Sequence, residues 1–418
     1  MSIIGLVDCK NFFVSCERVF DPSITNKPVI VLSNNDGCII SRSEEAKALG
    51  LYMDPYFKVR NFCKAHKVKV LSTNFALYGD MSSRVMSILE EHCPEIEIYS
   101  IDEAFIDLSH IPTNMIKSYI EKLRKIIIQY TGIPVRIGVG HTKTLAKLAQ
   151  LQSKKNNENT YVMLDEYSRE NSLKNTKAEE VWGIGPKLSK ILYDLDIKNA
   201  LEIALSSSSV IRKYTKLQGQ KIQAELNGIQ CFEIEQVHEV KKNISSTRSF
   251  ARAISELSDL EHLVAQFASI SAKKMRMQNS ICNSVYVYIR TNKFETKEKY
   301  FSSNIEILDE STADTAKLIS AAKAGLKKIF KQGYKYKKAG VVLLNLHSKN
   351  YKQLNINPNN KENDGLMTVM DHINNKLGRN TIYFLSEGSN LQGVENIGKR
   401  QYTSKRYTTH WEELLLVK

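Results

Sequence analysis

Residues 96–108, IEIYSIDEAFIDL, alternate apolar and polar side chains on both sides of an acidic pair, Asp102-Glu103. Successive side chains on a strand point to opposite faces, so this pattern predicts two β runs meeting near the two acids. A second apolar run, IIGLV at 3–7, is also of strand type and leads into Asp8. If these strands are neighbours, three carboxylates distant in the chain converge on one sheet edge. Taken alone, each signal also fits something plainer. Asp8 suits a helix cap or turn, and Asp102-Glu103 an ordinary hairpin turn.

The rest of the N-terminal half alternates strands and helices. A helical stretch containing Phe12 and Phe13 follows Asp8, and strands at 29–32 and 38–40 flank the turn-rich SNNDG. A short helix over 43–49 ends at Gly50, which suits a left-handed C-terminal position, and Ser41 with Glu44 has capping-box spacing. Helices are expected at 81–93 and at 115–130, the latter closed by Gly132, then a strand at 135–139 and a helix at 142–154. Residues 1–165 thus form a mixed α/β unit interrupted by an insertion at 21–79. The chain is helical over 168–235, with the motif WGIGPK at 182–187. Residues 237–249 are polar and basic with no helical period, as an inter-domain tether would be. An α/β pattern returns over 250–350: helix 257–278, strands in 281–291, helix 312–331 and strand 339–346. Asn-rich 351–364 is a loop or linker, and 365–418 a last unit with helix 366–377 and a sparse, partly aromatic tail. No internal repeat is present. The fold class is α+β and multi-domain.

A chain of 418 residues is too long for one core and predicts about three to five packed units. The net charge is +14, and residues 241–352 hold 21 Lys/Arg against 9 Asp/Glu, so nearly all of the imbalance sits there. A polyanion partner follows physically, because each phosphate neutralised releases counterions; a solvated basic face is the alternative. No apolar run is long enough to span a membrane, and the N-terminus is unlike a secretory signal. The 7 cysteines form no C-x-x-C pair, which argues against a disulfide framework or structural zinc and for a cytoplasmic setting.

Three convergent carboxylates suit nucleotidyl transfer, in which two divalent cations activate the attacking oxygen and stabilise the leaving one. Magnesium takes oxygen ligands and keeps several waters, so a few carboxylates on rigid elements suffice. The flanking residues sharpen this reading. VDCKNFF at 7–13 and YSIDEAFIDLS at 99–109 resemble the Y-family DNA polymerases. The likeness continues through VIVLSNNDGCIISRSEEAKALG at 29–50, LYGDMSSRVM at 77–86, IGVGHTKTLAKLAQLQSKK at 137–155 and WGIGPK. GRNTIYF at 378–384 and RYTTHWEELLLVK at 406–418 resemble the C-terminal region of the UmuC-like branch, so the likeness covers essentially the whole chain.

That resemblance implies a right-handed polymerase. Its ferredoxin-like palm would be 1–20 and 80–167, its small fingers 21–79, and its helical thumb, with a helix-hairpin-helix, 168–236. An α/β little finger at 243–350 and a linker with a UmuC-type region at 351–418 would complete it. The implied activity is template-directed, error-prone translesion DNA synthesis in the SOS response, with two Mg2+ ions. Asp8 and Asp102 would bridge both metals, the Cys9 carbonyl would join the nucleotide metal, and Glu103 would hold the catalytic metal. Implied partners are primer–template DNA, a dNTP, a processed UmuD-like dimer and a RecA filament.

Other residues follow the same resemblance. Phe13 stands at the position of the steric gate, where a ring collides with a ribose 2′-hydroxyl; Phe12 beside it is grouped with the nucleotide site but has the character of core. Lys143, Lys147 and Lys154 point within about 40° of one another on a helix. That stripe alone also fits a solvated face, whereas the family pattern sets Lys154 on the triphosphate. Lys47, with Ser41 nearby, stands where relatives carry an arginine, and Glu44 replaces the usual fingers tyrosine, so that contact is not carried over. Gly183, Gly185 and Lys187 of WGIGPK resemble a phosphate-gripping hairpin, though a tight turn explains the glycines equally well. Arg248, Arg252, Lys273, Lys274 and Arg276 would bind backbone phosphates. QLNIN at 353–357 keeps the Gln and aliphatic of a sliding-clamp peptide but lacks its terminal aromatic, so weakened clamp binding and a plain linker fit it equally well. A non-catalytic DNA-binding scaffold is disfavoured by the three acids with Phe13 and Lys154. A nucleotide cyclase is disfavoured by the thumb motif and basic region.

Overall fold

In the computed structural model, residues 2–235, 240–293, 299–351, 364–378, 380–388 and 400–414 are described. The chain opens with β1 (Ile4–Cys9), α1 (Phe12–Phe20), β2 (Val29–Leu32), β3 (Ile39–Arg42), α2 (Glu44–Ala48), α3 (Tyr56–Ala65) and β4 (Lys69–Ser72). It continues through α4 (Phe75–His92), β5 (Ile96–Ile98), β6 (Glu103–Asp107), α5 (Ile116–Thr131), β7 (Val135–Gly140), α6 (Lys143–Lys155) and β8 (Thr160–Val162). Helices α7 (Glu166–Lys174), α8 (Pro186–Asp194), α9 (Ala200–Leu205) and α10 (Ser208–Leu226) follow. Then come β9 (Ile244–Ile254), α11 (Leu257–Met277), β10 (Ser280–Thr291), β11 (Phe301–Thr312), α12 (Thr315–Ile329), β12 (Tyr336–Leu344), β13 (His347–Ser348) and α13 (Asp364–Lys376).

Two compact units result: Met1–His238 with Arg400–Lys418, and Glu239–Lys399. In the first, one sheet runs β5-β6-β1-β7-β8, with β1 antiparallel to both β6 and β7. The expected neighbourhood of the acid-bearing strands is therefore real. One face carries Val7, Cys9, Ala104, Ile106, Val135 and Ile137 into a core completed by α1, α4 and α5. The opposite face sets Ile4, Leu6 and Phe105 against Ala146 of α6. Gly138 makes that approach possible: a Cβ there would lie 2.2 Å from the Gln150 nitrogen. A smaller sheet, β3-β2-β4, has its own core around Ile30, Leu32, Ile39 and Tyr56. Helices α7–α10 surround a third core with Leu173, Leu192, Ile203 and Ile222.

The second unit is a five-stranded sheet, β11-β10-β12-β9 with the short β13 paired to β10, and α11 and α12 pack on it through Leu260, Val264, Phe267, Leu318 and Leu326. Its two edge strands differ from the sequence expectation. Ile244–Ile254 is β9, where a tether over 237–249 is expected, and Phe301–Thr312 is β11, where no strand is expected. The helix at 43–49 is capped by Ser43, whose side chain accepts from the Ala46 N–H; Ser41 instead lies buried within β3. The stretch 365–418, expected as one last unit, is divided. Helix α13 belongs to the second unit and the described residues 400–414 to the first, because Tyr402 and Tyr407 pack there on its cores. The QLNIN stretch lies outside the described residues. No described helix is long and apolar enough to cross a membrane.

Candidate functional site

Strand register builds the site. Asp8 stands directly opposite Glu103 in the β1–β6 ladder, and the Cys9 N–H donates to the Asp102 carbonyl at 2.9 Å. Period two then sets Asp8 on the face of Ile4 and Leu6, and Glu103 on that of Phe105, so both acids look toward α6. Asp102 sits in the β5–β6 turn, where the Ser100 hydroxyl donates to its Oδ1 at 2.5 Å.

Helix α6 supplies the partners. Gln150 Nε2 donates to Asp8 Oδ2 at 2.7 Å, and Lys147 Nζ lies 2.7 Å from Glu103 Oε2 and 4.3 Å from the Tyr99 ring centroid. Lys143 pairs with Glu97. The expected basic stripe exists in direction, but Lys143 and Lys147 face the sheet rather than water; only Lys154 is exposed. Gln150 completes the inward face by lying three residues after Lys147, a signal that continuing the helical period would have found.

Burial pushes the Asp8 carboxyl from its ordinary 3.8 up to about 7, with Glu103 and Asp102 adding repulsion and Gln150 and Arg136 opposing it. A cation would relieve this repulsion, and three carboxylates are the donor chemistry that magnesium takes, so the residues fit a divalent metal. Among the described residues no three acid, cysteine or histidine side chains form a closed ligand set, and Glu103 is instead held by Lys147.

Phe12 is buried in the core, whereas Phe13 is half-buried and stacks on Tyr78 at 4.7 Å and 16°. Lys47 reaches Asn11 Oδ1 at 2.7 Å and Glu44 Oε1 at 2.8 Å, tying α2 to the turn after β1. In WGIGPK, Trp182 Nε1 donates to the Tyr99 hydroxyl at 3.2 Å. Gly183 has φ +87 and lies beneath Ile222, and Gly185 precedes α8 with Lys187 exposed beside it.

The expected basic residues of the second unit separate. Arg276 is committed internally: Nε and a terminal nitrogen hold both Asp371 oxygens, at 2.6 and 2.9 Å, while its other nitrogen reaches Ala313 O and Thr315 Oγ1. These contacts clamp α13 through the guanidinium that the sequence resemblance sets on a backbone phosphate. Lys273 donates to Asn375 at 2.7 Å, and Arg248 lines the cleft, about 860 Å3 in volume, between β9, α11 and α13. Arg252 and Lys274 are exposed.

Residues 7–150 match the impB/mucB/samB family, 241–356 match that family's C-terminal domain, and 364–417 match a domain of unknown function, DUF4113. The chain is 37% identical to Protein UmuC of Salmonella typhimurium, over 100% of both chains. It is 34% identical to Protein MucB of Escherichia coli over 99% of each, and 26% identical to DNA polymerase IV of Staphylococcus aureus over 73% of this chain and 85% of the relative. Its fold is similar to a Y-family DNA polymerase chimera of Dbh and Dpo4, with a TM-score of 0.70, 21% identity and coverage of 83% of this chain and 100% of that one.

Proposed function

Because the chain belongs to the impB/mucB/samB family of Y-family DNA polymerases, we propose that Asp8, Asp102 and Glu103 carry its nucleotidyl transfer. It is a DNA-directed DNA polymerase of the error-prone, translesion kind that acts in the SOS response, and such polymerases depend on metal. The observation that carries the site assignment is the β1–β6 register, which sets Asp8 across from Glu103 with Asp102 adjoining. Two magnesium ions bound there would activate the primer 3′-hydroxyl and neutralise charge on the departing pyrophosphate. Asp8 and Asp102 would hold both ions, Glu103 the one nearer the primer, and the Cys9 carbonyl the one nearer the nucleotide. Gln150 orients the Asp8 carboxylate, Ser100 orients Asp102, and Lys147 holds Glu103 in place.

Phe13 would exclude a ribose 2′-hydroxyl, and Lys47, Ser41 and Lys154 would line the triphosphate path. The strand order β5-β6-β1-β7, with α4 and α5 on one face, supports reading 1–20 and 80–167 as a ferredoxin-like palm. Residues 21–79 are then the fingers, whose small size checks base-pair shape loosely. Residues 168–236 are the thumb, with WGIGPK as its helix-hairpin-helix, and 243–350 the little finger. Primer–template DNA and a dNTP are the substrates; a processed UmuD-like dimer and a RecA filament are the proposed partners, with sliding-clamp binding weak. The setting is the cytoplasm.

Primer extension on damaged and undamaged templates, with Mg2+ and with or without a UmuD-like protein and RecA, tests this reading. The chain should extend primers, and Asp102→Ala should reduce incorporation by several kcal/mol of transition-state stabilisation, roughly a thousandfold or more, while DNA binding persists. Undiminished incorporation by Asp102→Ala would remove the site assignment.

A further inference from the structure

The stretch from Arg400 to Leu414 does not trail away from the first unit. The Ser72 N–H donates to the Tyr402 carbonyl at 2.9 Å, and the Tyr402 N–H donates to Ser72 Oγ at 3.1 Å. The Tyr402 ring meets Tyr56 edge-on at 6.0 Å, and Tyr407 stacks on Phe20 at 4.9 Å and 13°. Between these two anchors the Ser404 hydroxyl donates to Glu17 Oε1 at 2.9 Å.

Glu17 is an unusual residue to receive it. Its side chain lies on α1 at 1% exposure, and a buried carboxyl is costly unless every lone pair is used. The same Oε1 accepts from the Tyr78 hydroxyl at 2.7 Å, and Tyr78 is fully buried. Tyr78 in turn is the ring on which Phe13 stacks. A second link runs in parallel. Asn74 caps the start of α4, the helix that carries Tyr78, and its side-chain nitrogen donates to Ser404 Oγ at 3.0 Å and to the Lys405 carbonyl at 2.9 Å. The tail therefore touches both the hydroxyl end of Tyr78, through Glu17, and the first turn of its helix.

We propose that the C-terminal stretch, acting through Ser404, Glu17 and Asn74, positions Tyr78 and with it the Phe13 ring, and so sets how strictly the polymerase selects deoxyribose. This gives a role to part of the segment whose matching family carries no assigned function. The inference rests on reading Phe13 as the steric gate. Ser404, Glu17 and Asn74 are positioning residues: none of them is assigned a contact with the nucleotide. An exclusion contact depends on ring placement at the scale of tenths of an ångström, because repulsion rises steeply once atoms overlap. Loosening the support behind Phe13 should thus relax sugar selection before it harms incorporation of the correct nucleotide.

The test uses full-length chains. The ratio of kcat/KM for dATP to that for ATP is measured opposite template thymine for wild type, Phe13→Ala, Ser404→Ala, Ser404→Thr, Glu17→Gln and the double variant Ser404→Ala with Phe13→Ala. Ser404→Ala should lower the ratio by about threefold to tenfold, the range set by one hydrogen bond, chiefly by improving ATP use. Ser404→Thr, which keeps the hydroxyl, should restore it. Phe13→Ala should lower it further, and adding Ser404→Ala to Phe13→Ala should change nothing more. Thermal melting checks that each variant is folded, and Ser404, half-buried on the tail, is the milder substitution should Glu17→Gln not fold. If Phe13→Ala relaxes selection while Ser404→Ala only shifts the melting temperature, the positioning role is overturned and the gate stands. If Phe13→Ala leaves the ratio unchanged, gate and positioning role fall together.

Discussion

Lys147 occupies the position of a counter-ion to Glu103, its ammonium 2.7 Å from the carboxylate and over the ring of Tyr99. A side-chain cation thus does for Glu103 in the metal-free protein part of what a bound metal would do. Lys147→Met leaves a half-buried carboxylate without its partner, and the metal-free variant should lose about 1–3 kcal/mol of stability. Magnesium should restore more stability to this variant than to the wild type. Melting temperatures with and without Mg2+ measure both effects; equal shifts would deny the competition.

Asp8 links stability to pH. Its carboxyl is raised from 3.8 to about 7 by burial and its acidic neighbours, so its contribution is fully present below the unfolded value and is lost as pH rises through about 7. The metal-free protein should lose about 1 kcal/mol between roughly pH 6 and pH 8 from this group alone. Asp8→Asn should flatten that part of the profile, and Mg2+ should bind more tightly at the higher pH because the proton no longer competes. Denaturant titrations across this range would expose a wild type as flat as the variant.

The basic residues of the second unit should divide in DNA binding as they do by contact. Lys274→Ala and Arg252→Ala should each weaken DNA binding on all sequences and reduce the log–log salt slope by about one. Arg276→Ala should leave that slope unchanged and instead lower stability by about 2 kcal/mol, since it releases the two Asp371 oxygens. Binding isotherms at several salt concentrations, paired with melting curves, distinguish the two outcomes.

Gly138 permits α6 to lie against β7. Gly138→Ala brings a methyl into the Gln150 backbone and should cost about 1–3 kcal/mol through overpacking. Lys147 and Gln150 ride on the displaced helix, so incorporation should fall more steeply than DNA binding. Parallel loss of both would mean that the unit had simply unfolded.

The acid-bearing strands were legible because their period is unbroken and their polar ends stand out: IIGLV before Asp8, and IEI and AFI around Asp102-Glu103. Strands β9 and β11 were not, and both lie at sheet edges, where Ser, Thr, Arg, Glu and Asp replace the apolar alternation that marks a central strand. Lys143 and Lys147 looked like a solvated stripe because sequence gives a helical direction but not what faces it. Their acidic partners, Glu97 and Glu103, come from other strands. Arg276 and Asp371 are 95 residues apart, and no local pattern announces such a pair. The same holds for Glu17 with Ser404, which a composition-based reading leaves in separate regions of the chain.

That last pair has a consequence for how the molecule is made. Tyr402 fills an aromatic niche beside Tyr56, and Ser404 satisfies Glu17. Until residues 400–407 have been made, this niche is open and the Glu17 carboxylate has the Tyr78 hydroxyl but not Ser404 as a donor. Completion of the N-terminal unit waits on residues some four hundred positions downstream of its first strand, and a frameshift or premature stop upstream of residue 400 leaves that unit without this clasp.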